Sequence, residues 1–120
     1  RVLFRSNLMK EMVMIIRPDK LEDVKEILDK HGCSGMTISS VMGCRTQRGT
    51  VHEIKGLKTN INLLPKIKVE VVVDDGIVEE VILDIRDKVA TGNVGDGKIF
   101  IRNIDDAVRI RTGERGKKAL

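Results

Sequence analysis

The sequence predicts a single α+β domain with the element order strand, helix, strand, strand, helix, strand, the split βαβ or ferredoxin-like arrangement. Two observations support this fold class. Several short segments rich in branched apolar residues are typical of strands, and two longer segments repeat apolar residues at intervals of three and four, as amphipathic helices do. The chain has 120 residues, the usual size of one domain, and its core must be aliphatic because it has two Phe and no Trp or Tyr.

The first half of the chain holds a strand, a helix and a second strand. Residues 12–16 form a continuous apolar run, which favours a strand buried on both faces. A helix is predicted over residues 20–31, where apolar side chains share one side, and Gly32 is expected to end it. Residues 36–42 are predicted as the second strand.

The second half begins with a long segment, residues 43–64, that has no clear period. A structureless stretch of this length in a compact domain is typical of a functional loop. Residues 66–73 alternate as a strand does, and Asp74-Asp75-Gly76 is predicted to cap a helix whose apolar stripe ends at Val89. Residues 98–102 are predicted as a strand, residues 104–111 as a short final strand, and the remainder as a polar tail.

The predicted helices cover only one face of the sheet. The other face also carries branched side chains, which need cover of their own. Another copy of the same sheet is the simplest cover, so we expect a closed homo-oligomer.

Composition disfavours several classes of function. The formal charge of +4 comes from basic residues that interleave with acidic ones, without an aromatic stacking platform, which disfavours nucleic-acid binding. Cys33 and Cys44 have no CxxC spacing, so neither a zinc site nor a disulfide framework is indicated. All apolar runs are too short to span a bilayer, and we expect a cytoplasmic protein without direct membrane insertion. No nucleophile with a base stands out, so an enzyme is not predicted.

The first eight residues fit none of the periodic pattern that begins at Met9. We interpret residues 1–8 as an expression remnant or a disordered arm, and residues 9–120 as the domain.

Two motifs carry phosphate-binding chemistry. In Gly95-Asp96-Gly97-Lys98, glycines let backbone N–H groups approach phosphate oxygens and Lys98 adds a positive charge; the alternative is a plain turn before a strand. Arg109 and Arg111 lie two apart on the predicted final strand, so we expect both guanidinium groups on one face. The alternative for this pair is a charged edge strand that discourages aggregation.

These motifs belong to a longer series of blocks that begins after Met9. The blocks are Ile16-Arg17-Pro18 with Lys20-Leu21, Gly35-Met36-Thr37, Gln47-Arg48-Gly49, Leu64-Pro65-Lys66, Thr91-Gly92 with Gly95-Asp96-Gly97-Lys98-Ile99-Phe100, and Val108-Arg109-Ile110-Arg111-Thr112-Gly113-Glu114. In these blocks and in their order the chain resembles the PII nitrogen-regulatory signal-transduction family. Each block alone is weak, but the whole series is specific.

The resemblance implies a homotrimer that binds ATP or ADP at three sites between neighbouring subunits. It also implies a long T-loop at residues 43–64, a B-loop at about residues 90–98 and a C-loop after Ile104. The positions that match the nucleotide-binding residues of the family are Gly35, Thr37, Arg45, Thr46, Gln47, Glu70, Val72, Gly95, Asp96, Gly97, Lys98, Arg109 and Arg111.

A second ligand, 2-oxoglutarate, is implied at the base of the T-loop. The matching positions are Gln47, Arg48, Gly49 and Lys66, and Gln47 also matches the glutamine that helps to ligate Mg²⁺. Mg²⁺ would take its remaining ligands from ATP and the oxo acid, so the metabolite should bind only the Mg-ATP form. The alternative for Lys66 is a surface lysine that opens a strand.

The chain departs from the family pattern within the T-loop. Gly43-Cys44-Arg45-Thr46 replaces the usual Gly-x-Gly-Arg, so either Arg45 supplies the missing charge from the next position or the site treats ADP and ATP differently. Thr59 stands where many bacterial relatives have a uridylylated tyrosine, and Leu57 where cyanobacterial relatives have a phosphorylated serine. Control by those two covalent routes is not expected.

The implied function is a sensor of nitrogen, carbon and energy status that regulates a target protein through its T-loop. Relatives regulate ammonium channels, glutamine synthetase, modifying enzymes or nitrogenase. A nucleic-acid-binding module is one alternative. The other is a PII-like sensor of a different ligand, such as an adenylyl messenger or bicarbonate; Gln47 and Lys66 argue against it and Arg45-Thr46 argues for it.

Overall fold

The computed structural model describes residues 8–33, 35–46 and 61–120, with residues 45, 46, 61 and 62 described by their backbone alone. The elements in chain order are β1 (Met9–Ile16), α1 (Leu21–Lys30), β2 (Thr37–Thr46), β3 (Ile61–Asp74), α2 (Val78–Lys88) and β4 (Lys98–Ile104). The strands form one antiparallel sheet in the order β2-β3-β1-β4. This arrangement confirms the predicted ferredoxin-like class.

The two faces of the sheet follow from the register of β1. Met12 lies opposite Val71 of β3 and Ile101 of β4, whereas Val13 lies opposite Glu70 and Phe100. Because successive side chains of a strand point to opposite faces, the Met12 set and the Val13 set face different environments. The Met12 face packs against α1 and α2, and we call the Val13 face the open face.

The core lies between the sheet and the two helices and is almost entirely aliphatic, as predicted. Met12, Val24, Leu28, Val69 and Val81 are fully buried. Burial of a side chain of this size stabilises the fold by about 1.5–3 kcal/mol. Each helix contributes its predicted apolar stripe, while its charged residues face away from the sheet.

Helix α1 ends as the sequence predicts, because Gly32 adopts a φ of 83°, a conformation that glycine tolerates best. His31 caps the helix, and its imidazole Nε2 lies 2.7 Å from Asp84 Oδ2 of α2. The α2 start differs slightly from the prediction. The Asp74 carboxylate accepts the backbone N–H of Gly76 and caps a 3-10 turn, Asp75–Ile77, that leads into the helix.

The prediction of a final strand over residues 104–111 is wrong. β4 extends to Ile104, and beyond it only an isolated bridge joins Val108 to Arg115. The Asp106 carboxylate accepts the backbone N–H groups of Ala107 and Gly116 and pairs with Arg115. Such local bonds from an aspartate compete with strand pairing, which is why the branched residues here do not extend the sheet.

The predicted loop is shorter than expected at both ends. Gly43–Thr46 continue β2 and pair with residues 61–64 of β3, so that Thr46 lies opposite Ile61. The predicted start of β3 at Lys66 was wrong. A proline usually marks the start of a strand, yet Pro65 lies within β3, opposite Met42. Residues 47–60, which hold the rest of the predicted T-loop, and residues 1–7 of the predicted arm lie outside the described residues.

Within the described parts of the chain, no helix is long and apolar enough to cross a membrane, and no cluster of three or more His, Cys, Asp or Glu residues could hold a metal ion. Cys44 is exposed. Cys33 is partly buried, and that burial raises the pKa of its thiol.

Candidate ligand-binding site

The predicted phosphate-binding motif forms a tight turn between α2 and β4. Gly95 and Gly97 have φ values of 104° and 103°, in the region that side chains avoid. A Cβ at Gly97 would also collide with the carbonyl oxygen of Ile15, at the end of β1. Both glycines are therefore required by the shape of the turn, which lies directly against the sheet.

The Asp96 carboxylate is used within this loop. It accepts the backbone N–H of Thr91 at 2.8 Å, the Thr91 hydroxyl at 2.6 Å and the backbone N–H of Gly92 at 2.9 Å. Arg17 Nε, 3.3 Å from Oδ1, is a fourth donor. These bonds, above all the Thr91 hydroxyl, hold the pKa of Asp96 well below its usual range.

Arg17 attaches the loop to the sheet. It follows the last residue of β1, and its guanidinium donates to the carbonyl of Val94 at 3.0 Å as well as to Asp96. A side chain at Gly95 would meet the same guanidinium, because a Cβ there would lie 3.1 Å from Arg17 Nη2. The planar, multiply donating head group of arginine suits such a contact with two acceptors.

Lys66 reaches the same turn from β3. Its ammonium donates to the carbonyl of Gly95 at 2.6 Å. This contact joins two predicted sites, because Lys66 is the predicted 2-oxoglutarate residue and Gly95 belongs to the predicted nucleotide site. We call the space around them the loop cavity, of about 450 Å³; it is lined by Gly43, Cys44, Leu64, Lys66 and residues 93–98, which include Lys98.

A second group of predicted nucleotide residues lines a different cavity, of about 590 Å³. Gly35 and Thr37 contribute from the start of β2, and Glu70 and Val72 from β3, where Glu70 lies opposite Thr37. We call this the strand cavity. The two cavities share no lining residue, so the described chain brings the predicted nucleotide residues together in two groups rather than one.

The tail of the chain closes one side of the strand cavity. Lys117, Ala119 and Leu120 line it, and Lys117 Nζ lies 3.2 Å from Asp74 Oδ2. The sequence predicts only a polar tail here. Its basic residues gave no signal that one of them would pair with the residue that caps the turn before α2.

The two predicted phosphate arginines do not lie side by side on a strand, which corrects the expectation that both project to one face. Arg109 donates to Glu114 Oε1 at 3.3 Å and to the main-chain oxygen of Leu120 at 2.9 Å, which places it next to the strand cavity. Arg111 lies in the exposed turn that follows. The cause is the local structure after Ile104 described above.

The other predicted positions are described only in part. Arg45 and Thr46 are the last residues of β2, with backbones paired to Asn62 and Ile61. Gln47, Arg48 and Gly49 lie outside the described residues, and so does the predicted Mg²⁺ ligation by Gln47. Sequence reasoning missed Arg17 and Thr91 as site residues, although both stand in its matching blocks.

Together, a ferredoxin-like sheet and a glycine turn flanked by lysines define a class of small α+β domains suited to an anionic ligand. Comparison with known proteins identifies the family more specifically than this class does. The family model "Nitrogen regulatory protein P-II" matches residues 9–114. Nitrogen regulatory protein P-II 2 of Methanothermobacter thermautotrophicus is 52% identical over 112 residues, which cover 93% of this chain and 97% of that protein.

Two further relatives agree with these matches. Nitrogen regulatory protein P-II of Bradyrhizobium diazoefficiens is 44% identical over 112 residues, covering 93% of this chain and all of that protein. The solved structure of the B. subtilis GlnK-ATP complex superimposes with a TM-score of 0.83 at 33% identity, covering 98% of this chain and 100% of the other. The chain therefore belongs to the nitrogen regulatory protein P-II family, a family of signalling regulators.

Proposed function

We propose that this protein senses nitrogen, carbon and energy status by binding ATP or ADP together with 2-oxoglutarate, and that it regulates a target protein through its T-loop. The observation that carries the nucleotide part is the loop cavity. There Lys66 and Lys98 flank a turn whose glycines leave the backbone accessible, while the one carboxylate of the turn is bonded inward. Positive charge and exposed N–H groups without a facing carboxylate favour phosphate.

The strand cavity supplies groups of another kind. Thr37 offers a hydroxyl, Glu70 a carboxylate and Val72 an apolar surface, which suit a ribose and a base better than phosphates. Arg109 lies beside it with a guanidinium that could exchange its bond to the Leu120 oxygen for one to a phosphate. In this proposal the nucleotide lies between two copies of the chain in a homotrimer, where one copy supplies the loop cavity and its neighbour the strand cavity. The ATP complex of the B. subtilis relative also supports ATP as the ligand.

For 2-oxoglutarate the support is Lys66, whose ammonium lies in the loop cavity at the base of the β2–β3 hairpin. A carboxylate of the metabolite would replace the Gly95 carbonyl as its acceptor, since an ammonium bonded to a carboxylate has opposite charges on both partners, whereas the carbonyl is neutral. Mg²⁺, bound through Gln47 and the ATP phosphates, would supply a cation that the oxo acid can chelate.

The regulatory step would follow from the position of Lys66 on the strand that leads out of the T-loop. Ligands that bind differently to two T-loop conformations would shift their populations, and a near-complete switch requires a difference of about 5.5 kcal/mol. An ammonium channel, glutamine synthetase or a nitrogenase system is the proposed kind of target.

Isothermal titration calorimetry tests this function with ATP first and then with 2-oxoglutarate in the presence of Mg²⁺. We expect 2-oxoglutarate to bind only after ATP and Mg²⁺, and Lys66→Ala to weaken it by about 1.5–3 kcal/mol, the worth of a charged hydrogen bond. Lys88→Ala removes an exposed lysine of α2 and serves as the matched control. Absence of 2-oxoglutarate heat in the wild type, or equal heat in Lys66→Ala, would contradict the sensing function.

The second candidate is a PII-like sensor of another ligand, favoured by the unusual Cys44-Arg45-Thr46 sequence at the end of β2. The same calorimeter distinguishes the two. An adenylyl messenger or bicarbonate that binds while 2-oxoglutarate gives no heat would support the second candidate.

A further inference from the structure

The contacts of Arg17, Thr91 and Asp96 have a common effect on the glycine turn. Asp96 gathers donors from two separate places: Thr91 and Gly92 in the loop after α2, and Arg17 at the end of β1. An ionised carboxylate only accepts hydrogen bonds, so with four donors around it little capacity remains for a ligand. The charge of Asp96, which would repel a phosphate, is directed into the loop instead.

The turn also depends on this arrangement for its place against the sheet. Gly97 lies too close to Ile15 to admit a side chain, and Gly95 lies against the Arg17 guanidinium. Arg17 bonds the carbonyl of Val94 and the carboxylate of Asp96, which flank Gly95 on both sides. A movement of the turn away from β1 would therefore break both bonds of Arg17.

The backbone N–H groups of the turn differ in whether they have a hydrogen-bond acceptor. The N–H of Asp96 donates to the carbonyl of Asn93 at 3.3 Å. Among the residues that the structure describes, the N–H groups of Gly95 and Gly97 have no acceptor. They are the groups that a phosphate could reach, provided that the turn keeps its shape.

We propose that Arg17, Thr91 and Asp96 form a clamp that fixes the Gly95–Gly97 turn in its phosphate-binding shape, and that Arg17 acts as a positioning residue without touching the nucleotide. The proposal rests on the proposed nucleotide function and adds to it three residues with a defined role. Asp96 takes part through its carboxylate as the centre of the clamp. A clamp of this kind lowers the cost of ordering a glycine-rich turn when the ligand binds.

The test uses the full-length protein and the variants Arg17→Met, Asp96→Asn and the double variant, with Arg86→Met as the control. Arg86 is an exposed arginine of α2, away from the turn. We expect Arg17→Met and Asp96→Asn each to raise the Kd for ATP about tenfold, equal to 1.4 kcal/mol. The double variant should be no weaker than the weaker single variant, because both substitutions release the same turn. Arg86→Met should bind as the wild type does.

A direct phosphate contact by Arg17 predicts a different result, since its loss would add to the loss of Asp96. Additive effects would therefore overturn the clamp and assign Arg17 to the ligand. Amide hydrogen exchange without nucleotide gives a second readout. Exchange at Thr91 and Gly92, whose N–H groups donate to Asp96, should accelerate in Arg17→Met and Thr91→Val, while exchange at Val69 in the core should not.

The outcomes separate the two levels of the proposal. If the wild type fails to bind ATP, the nucleotide function is wrong and the clamp has no ligand to serve. If the wild type and Arg86→Met bind ATP and Arg17→Met binds it equally well, the clamp alone is wrong. Unchanged exchange at Thr91 and Gly92 in both Arg17→Met and Thr91→Val would also overturn the clamp, whatever the affinity for ATP.

Discussion

At the scale of single residues, Gly97 is the position at which the turn least tolerates a side chain. Its φ is positive and a Cβ would collide with the Ile15 carbonyl, whereas Gly92 in the same loop has a similar φ of 88° and open space around it. We predict that Gly92→Ala costs about 1 kcal/mol of folding free energy, from backbone strain alone, and that Gly97→Ala costs about 3 kcal/mol or more. Urea unfolding at one protein concentration measures both, and equal losses would show that the contact with Ile15 is relieved at no cost.

The residue scale also shows what a sequence can reveal about a site. The glycines and lysines of the loop cavity were predictable from the series of blocks that the chain shares with the PII family, whereas the glycine motif alone also fits a plain turn. The direction in which a side chain points was not predictable from the sequence. Asp96 stands between two predicted phosphate-binding glycines, and only the positions of Thr91 and Arg17 show that its carboxylate bonds inward. Arg109 is a similar case, because its partners Glu114 and Leu120 depend on a fold-back of the chain.

At the scale of elements, the link between α1 and α2 is a short ionic cluster. Asp84 of α2 lies 2.7 Å from the His31 imidazole and 3.4 Å from Lys30 Nζ, both at the C-terminal end of α1. The hydrogen bond from His31, and then the Lys30 ammonium, hold the pKa of Asp84 below its usual range. A carboxyl group whose pKa is lowered by folding adds stability above its unfolded pKa, and that stability disappears as the pH falls through the folded value.

We therefore predict an acid-dependent effect of Asp84→Asn. The variant should be less stable than the wild type above about pH 5, and the difference should shrink as the pH falls below about 4, near the ordinary pKa of an aspartate. Asp87→Asn, an exposed position of the same helix, is the matched control. Thermal unfolding from pH 7 to pH 2.5 provides the measurement. A constant difference across that range would mean that the ionised form of Asp84 does not hold the helices together.

Elements were predictable to the extent that periodicity marks them. The stripes of α1 and α2 and the branched runs of β1 and β3 have one interpretation each, and the structure confirms them. The ends of β2 and β3 were not predictable, since strand pairing between residues 43–46 and 61–64 depends on contacts that neither segment shows alone. Residues 104–111 have strand-like composition, but the local bonds of Asp106 prevent pairing.

At the scale of the whole molecule, both groups of predicted ligand residues lie on the open face of the sheet, because Lys66, Glu70 and Val72 alternate with the core residues of β3 and Thr37 lies opposite Glu70. The helices bury one face, whereas Phe100 remains 56% exposed on the open face, opposite Val13. The side chain of Lys98 belongs to that same face, because Lys98 lies opposite Ile15 and two residues from Phe100. Contact between copies through the open face would thus place the loop cavity of one chain close to its neighbour.

The position of the ligand residues on the open face predicts that a substitution that prevents assembly also weakens nucleotide binding. Phe100→Glu should prevent assembly, because it places a charge on the apolar surface that the copies would bury. Such a chain should sediment near its own mass of 13.4 kDa, whereas the wild type should sediment near three times that mass. ATP affinity should fall with it, since neither cavity alone holds all the predicted groups. Leu83→Glu is the matched control, because Leu83 is 64% exposed on α2, away from the open face. If the Phe100→Glu monomer bound ATP as tightly as the wild type, the nucleotide site would lie within one chain, and the assignment of the two cavities to one shared site would be wrong.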